Sequence, residues 1–374
     1  MPSLATWLTR QWTRRGPVAC ALWPLHALMS GLVALRRHGY ARGWWPTHTL
    51  PVPVVVIGNR VIGGAGKTPT TMAVVQHLRR RGWQPGVLSR GYGRQSGASH
   101  EPLVLDARSE DALSAAEVGD ECWLIWRHTA APIGVASRRS DAGEALLKAH
   151  PEINILVCDD GLQHLALARQ VEVVVFDERG AGNGWLMPAG LLREPIDAPP
   201  GPGSVQPALV VYNAARPSTV LDGHLARRSL APLQRWEDWW AGKPMPARQA
   251  DAPKVPKALI EAGKERVWAV AGIAQPERFF KPLRQTGLRF QRCPLPDHAP
   301  LTTLPWPDTA AHVVLTEKDA VKLTPERLRQ QRPATQVWVA ALDVGIDQAF
   351  FKALDRRLLE LAPSPAATSP ATLA

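Results

Sequence analysis

Residues 61–68, Val61-Ile62-Gly63-Gly64-Ala65-Gly66-Lys67-Thr68, have the types and spacing of a loop that wraps phosphate. Glycines let backbone N–H groups curl around phosphate oxygens at the positive start of a helix. Lys67 is then placed to reach the β- and γ-phosphates, and the Thr68 hydroxyl to ligate Mg²⁺. The general pattern, GxxxxGK[ST], has glycine where Val61 stands, so the match is imperfect at its first position. Such a loop needs an acidic partner at the end of a neighbouring buried strand, and the run from Ile153 to Cys158 ends in two, Asp159 and Asp160. Adjacent side chains on a strand point to opposite faces, so only one can hold the metal directly. Asp160 is favoured, and the competing reading is that either aspartate caps the following turn.

Two further clusters carry chemistry. Ser89-Arg90-Gly91-Tyr92-Gly93-Arg94 sets cations on a glycine-rich loop suited to a phosphorylated substrate. Val118-Gly119-Asp120-Glu121 puts two carboxylates just before an apolar helical stretch, Cys122 to Trp126. From the spacing alone this is either a helix N-cap or a catalytic acid site.

The elements that must position these residues read as alternating β-branched runs and amphipathic helices. Strands are predicted over 52–57, 86–89, 133–136, 153–158, 171–176 and 209–212, with a helix over 67–81. Short, nearly continuous apolar runs are the mark of parallel strands covered on both faces, so a three-layer α/β sandwich of the phosphate-loop NTPase type follows. A Pro/Gly-rich loop lies at 197–207, and 241–257 is a second proline-containing connection. A smaller α/β set then appears, with strands at 267–273, 288–295, 312–315 and 337–342, a helix near 276–286 and a last helix near 347–361. This gives an N-terminal segment 1–45, a core 46–225, a C-terminal lobe 226–362 and a disordered tail 363–374.

Length and composition agree with a folded protein of two or three domains: 374 residues, 45% hydrophobic and 21% charged. The net charge of +11 is uneven. Residues 1–100 hold no Asp or Glu and 13 Lys plus Arg, which leaves 31 basic against 33 acidic residues in the rest. Cys20, Cys122, Cys158 and Cys293 form no CxxC pair, which excludes a zinc ribbon and suits a reducing compartment.

Five of the 15 tryptophans (Trp7, Trp12, Trp23, Trp44 and Trp45) lie in the first 45 residues among Arg10, Arg14, Arg15, Arg36, Arg37 and Arg42, the chemistry of a lipid headgroup boundary. A helix over 3–15 would align Leu4, Leu8 and Trp12, with Arg10 and Arg14 opposite, until Pro17 bends or ends it. Residues 16–35 carry no formal charge, and the twenty would span a bilayer of roughly 30 Å of hydrocarbon, but Pro17, Pro24 and His26 weigh against a span. The favoured reading is a helix lying in the plane of an anionic membrane surface; a single span and a helix packed on the protein's own core are the alternatives. Nucleic acid is disfavoured as a partner, because runs such as 31–35 suit acyl chains better than phosphates.

Taken together, GNRVIGGAGKTP (58–69), LSRGYGR (88–94), VGDE (118–121), DDGLQH (159–164), MPAGLLREP (187–195), PDH (296–298) and TEKDAVK (316–322) resemble the tetraacyldisaccharide 4'-kinase family of Gram-negative bacteria over about 50–325. Family loops also tend to lack the first glycine, so Val61 counts toward the match, whereas Ala299 after His298 departs from it.

The resemblance implies an enzyme at the cytoplasmic face of the inner membrane. It would use ATP and Mg²⁺ to phosphorylate the 4'-hydroxyl of a tetraacyldisaccharide 1-phosphate, giving lipid IV-A, with no obligate protein partner. It implies Asp120 as catalytic carboxylate and His298 as its partner, and Arg90, Tyr92, Gln163, His164 and Arg193 as substrate contacts. Residues 61–68 would bind nucleotide, and Thr68, Asp159, Asp160 and Glu121 would lie at the metal.

Thr316-Glu317-Lys318-Asp319 is superficially similar to the base-reading turn of GTPases, but no Asn precedes the lysine, and it is read as a nucleotide-side or capping motif. The competing function is a membrane-associated ATPase or GTPase switch or targeting factor, which would share the loop and carboxylates without needing Asp120 and His298 together.

Overall fold

Five consecutive buried residues, Val54–Gly58, form β1 at the centre of a nine-stranded sheet. The computed structural model of the chain describes residues 7, 9, 11–92, 94, 101–109, 113–243 and 255–361. Leu4, Leu8, Arg10, Gly93 and the tail therefore lie outside the described residues. Beyond β1 the sheet contains β2 (Pro85–Ser89), β3 (Leu103–Leu105), β4 (Ile133–Val135), β5 (Ile155–Asp159), β6 (Val171–Asp177), β7 (Leu209–Asn213) and β8 (His224–Leu230). A smaller sheet holds β9 (Gln234–Arg235), β10 (Val267–Ala271), β11 (Gln291–Pro294), β12 (His312–Thr316) and β13 (Gln336–Ala340), and β14 (Leu342–Ile346) returns to the first.

The large sheet runs β14-β8-β7-β6-β1-β5-β2-β4-β3, parallel except for its edge strands β14 and β3. β1, β2, β5, β6 and β7 are buried along their whole length, which requires cover on both faces and gives the expected three layers. The helix Lys67–Arg80 packs on Asp120–Thr129 and lies against β1, β5 and β14, while Arg139–Ala149 covers β2, β3 and β4. Parallel pairing sets Ile57 opposite Asp159, so the phosphate loop and the two aspartates leave the sheet side by side. That is where ligands of open α/β sheets bind.

Three expectations are corrected. The run 337–342 is two strands in two sheets, broken at Ala341, because Leu342, Val344 and Ile346 alternate with Asp343 and Gly345 as an edge strand does. The edge strands β3 and β9, and β8 beside the edge, were not foreseen; His224–Leu230 carries two arginines and lacks a continuous apolar run. A lobe boundary at 226 would cut β8 and detach β14 and the final helix, Gln348–Leu359, from the large sheet, where His77 Nε2 lies 2.7 Å from Asp355 Oδ1. The chain crosses between sheets at 231–233 and at 341, and the crossings touch: Ala231 N donates to Ala341 O at 3.0 Å.

At the N-terminus Pro17 and Pro24 sit in the first turns of two helices, Pro17–Ala21 and Trp23–Ala41, where a missing N–H costs nothing. Among the described residues no helix is long and apolar enough to cross a membrane. Trp23–Ala41 is tied to the core along one side: Arg37 pairs with Glu194 at 2.6 Å, Arg36 donates to Gln163 O at 3.0 Å, and Leu186 N donates to His26 Nδ1 at 2.9 Å. Its other side leaves Trp23, Leu25, Leu28, Met29, Leu32 and Leu35 exposed.

The segment after Asp160 is held by Arg169, which is fully buried. Its guanidinium donates to Leu162 O and Leu167 O at 2.9 Å and to His164 O, and pairs with Glu172 at 3.4 Å. Arg169→Ala would leave the buried Glu172 carboxylate without its cation and strip the Leu162 and Leu167 carbonyls of this donor, and is expected to lower the unfolding free energy by about 3–5 kcal/mol, read from chemical denaturation.

Candidate active site

The phosphate loop is shaped by where its carbonyls are tied. Ala65 O accepts from Asn213 Nδ2 and Arg228 Nη2, both at 2.9 Å, and Gly64 O accepts from Arg278 Nη1 at 2.7 Å. Gly66 has φ +95°, and a Cβ there would fall 1.8 Å from Asn213 Nδ2, so only glycine fits. Gly63, Gly64, Gly66, Lys67 and Thr68 line a cleft of about 1780 Å³. Val61, Ile62 and Ala65 do not: Val61 is fully buried and bridges to Leu192, and Ile62 N donates to Leu191 O at 2.9 Å. A residue in an extended bridge has no use for a glycine, which accounts for the valine.

Asp159 and Asp160 diverge as strand geometry requires. Asp159 is buried and accepts from Thr71 Oγ1 at 2.6 Å. Burial, then the negative charge of Glu121, pushes its carboxyl up to about 7, against the Thr71 hydrogen bond and the Lys67 charge. Asp160, at φ +47°, faces Lys67 Nζ and Arg193 Nη1, each 3.5 Å away, and its Oδ1 is buried without a hydrogen bond. Neither caps a turn.

Gly119, at φ +96°, takes the N-cap of Asp120–Thr129, so the capping reading of Asp120 falls and its side chain is free to turn inward. Asp120 Oδ2 lies 3.2 Å from His298 Nδ1 and 3.3 Å from Lys322 Nζ. Burial alone would raise this carboxyl, but the His298 hydrogen bond and the Lys322, His298 and Lys318 charges together hold it below the usual carboxylate range. His298, at φ +59°, also meets Lys318 Nζ at 3.0 Å and the Tyr92 ring edge-on, with centroids 5.0 Å apart. Asp120 comes from the start of the helix packed on Lys67–Arg80, and His298, which lines the cleft, from the loop after β11.

Arg90, Tyr92, Gln163, His164 and Arg193 all line the same cleft. Gln163 Nε2 is committed to Asn59 O and Glu194 Oε1, both at 3.0 Å, and Arg193 pairs with Asp160. Burial first, then the charges of Arg139, Arg169, Arg36 and Arg90, push His164 down to about 4, so it stands neutral among cations. Arg36, Arg139, Arg228, Arg278, Lys318 and Lys322 were not anticipated at the site. The two lysines carried a signal, their i, i+4 spacing in TEKDAVK. The capping part of that motif holds: Thr316 Oγ1 accepts from Asp319 N.

A phosphate loop beside a carboxylate pair at the carboxyl edge of a doubly wound sheet defines the class, a phosphate-loop nucleotide-dependent phosphotransferase. The sequence model of the tetraacyldisaccharide-1-P 4'-kinases matches residues 18–359. The tetraacyldisaccharide 4'-kinase of Methylibium petroleiphilum is 52% identical over 360 residues, covering 96% of this chain and 95% of that one. Its counterpart from Leptothrix cholodnii is 50% identical over 352 residues, covering 94% and 95%. The chain belongs to the tetraacyldisaccharide-1-P 4'-kinase family. Its fold is that of Aquifex aeolicus LpxK, solved in complex with ATP, with a TM-score of 0.69 at 22% identity over 92% of this chain and 99% of that one.

Proposed function

We propose that this kinase transfers the γ-phosphoryl group of ATP to the 4'-hydroxyl of a tetraacylated glucosamine disaccharide 1-phosphate, forming lipid IV-A. The observation that carries the reading is that Lys67 and His298 line one cleft, with Asp120 hydrogen-bonded to His298 behind its wall and arginines beside them for a second anionic group. ATP binds with its phosphates on the N–H groups of 63–68 and on Lys67. The substrate's sugar lies against Tyr92 and its phosphate against Arg90, Arg193 and the neutral His164. The hydroxyl oxygen bonds to the γ-phosphorus as the bridge to the β-phosphate breaks and ADP leaves. The hydroxyl proton passes to Asp120. A carboxylate this acidic accepts it late, so positioning and charge neutralisation contribute most of the rate.

The acidic cluster suits a hard divalent cation. Asp159 is raised by burial and then by the charges of Glu121 and Asp160, and Asp160 Oδ1 is buried without a hydrogen bond. Among the described residues no three His, Cys, Asp or Glu converge into a cage, which is compatible with Mg²⁺, usually held by one or two carboxylates plus phosphates and water. Asp160, Asp159 and Glu121 with the Thr68 hydroxyl would hold it, with Asp160 bound directly, and it would supply neutralisation of phosphate charge. The direct test incubates labelled ATP with the disaccharide 1-phosphate in detergent. Label appearing in the lipid supports the reading, and label released only as inorganic phosphate refutes it in favour of an ATPase switch.

The exposed row Trp23, Leu25, Leu28, Leu32 and Leu35, with the basic first hundred residues, supports docking in the plane of the cytoplasmic leaflet, where ATP is available. Replacing Leu28 and Leu32 together by Glu is expected to cut binding to anionic vesicles about tenfold or more in co-sedimentation, with ATP affinity unchanged. Undiminished vesicle binding would refute docking through this face.

A further inference from the structure

Lys318 lines the cleft and Lys322 lies behind it, both on the segment after β12, where Asp319 is locked by Gly272 N at 2.9 Å and by the Thr316 hydroxyl at 2.6 Å. Each ammonium has three N–H bonds and no lone pair. Lys318 Nζ has three acceptors within reach: Glu121 Oε1 at 3.3 Å, Asp297 Oδ1 at 3.2 Å and His298 Nε2 at 3.0 Å. Lys322 Nζ likewise has Asp120 Oδ2 at 3.3 Å, Asp319 Oδ1 at 3.4 Å and Ala299 O at 3.2 Å. The third hydrogen of Lys318 therefore needs the lone pair on His298 Nε2, and the proton of the neutral ring must sit on Nδ1, where it is donated to Asp120 Oδ2.

We infer that Lys318 is a positioning residue that fixes the tautomer of His298, so that the ring donates to Asp120 and leaves the carboxylate as the only proton acceptor of the pair. Both contacts to Asp120, the His298 hydrogen bond and the Lys322 ion pair, fall on Oδ2, and among the described residues no hydrogen bond falls on Oδ1, which leaves it for the sugar hydroxyl. Without Lys318 the ring is free to take the other tautomer. It would then turn a lone pair toward the carboxylate, and the two acceptors would repel. The inference rests on the reading of Asp120 as the acceptor of the hydroxyl proton.

The test uses the full-length enzyme in detergent with ATP and the disaccharide 1-phosphate. It compares Lys318→Met, which has similar length and no donor, with Lys318→Arg, which keeps one. Lys318→Met is expected to lower kcat about 30-fold with the KM for ATP within twofold, and Lys318→Arg to recover most of the loss. ¹⁵N-histidine spectra of the same proteins, with the His298 signals identified by their absence in His298→Gln, read the ring directly. Nδ1–H in the wild type and a shift toward Nε2–H in Lys318→Met support the inference. Nε2–H in the wild type, or an unchanged ring or kcat in Lys318→Met, overturns it. Asp120→Ala separates the two layers: an inactive Asp120→Ala beside a Lys318→Met with an unchanged ring overturns the role of Lys318 alone, whereas an active Asp120→Ala overturns the acceptor reading and this one with it.

Discussion

Asp120→Ala is expected to reduce phosphoryl transfer to the lipid disaccharide by about 10³-fold while leaving the affinity for ATP within about twofold. The separation follows from position. Asp120 begins its helix under Gly119, and its carboxylate meets His298 and Lys322, not the carbonyls or N–H groups of residues 63–68. Losing it removes the proton acceptor and strands Lys322 beside a single remaining carboxylate, Asp319, without touching the nucleotide's phosphates. Asp120→Asn keeps the volume and guards against a folding defect. Because the folded protein holds this carboxyl below its ordinary range, the group is ionised throughout neutral pH. The stability it contributes is present above the unfolded pKa and is lost only as the pH falls through the lower folded value. Transfer by both variants at the wild-type rate would remove Asp120 from the mechanism. The measurements are initial rates with labelled ATP and equilibrium binding of a non-hydrolysable ATP analogue.

Lys67→Ala is expected to impair both quantities, with transfer down by about 10³-fold and nucleotide affinity down about tenfold. The ammonium opens the helix that follows the phosphate loop and lies 3.5 Å from Asp160 Oδ2, at the junction of the loop with the acidic cluster. Its loss withdraws the only lysine on the loop and leaves Asp160 with Arg193 as its remaining cationic neighbour. The pattern differs in kind from that of Asp120→Ala. Equal damage to ATP binding in the two variants would mean that the cleft does not divide into a nucleotide half and an acceptor half. A full-rate Lys67→Ala enzyme would refute the loop assignment.

The parallel centre of the large sheet was legible in the sequence because strands buried on both faces are apolar without interruption, as in Val171–Asp177. The edge strand β14 and its neighbour β8 were not. β14 exposes alternate residues and β8 carries two arginines without a continuous apolar run, so they look like loop, and their pairing joins residues more than a hundred positions apart. The lobe boundary failed for the same reason, since nothing local at 226 announces that a strand there will be completed by the far end of the chain. At the site, Gly63 to Thr68, Asp159 and Asp160 could be named from residue type and motif, and the Asp120–His298 pair from the family resemblance. The roles of Lys318 and Lys322 could not, because TEKDAVK reads only as a nucleotide-side or capping motif. Only the fold shows them meeting His298 and Asp120, together with Arg228 and Arg278 on the loop carbonyls.

The contact of Ala231 with Ala341 joins the two chain crossings between the sheets at one place. Paired strands that traverse a boundary side by side act as a pivot: they resist sliding and permit swinging. Opening about that axis would draw His298 and its lysines away from Asp120, and Arg278 away from Gly64, while leaving the two aspartates in place. Nucleotide could then settle first, and proton removal would wait for the jaw to shut on an acceptor, which protects the triphosphate from water in the meantime.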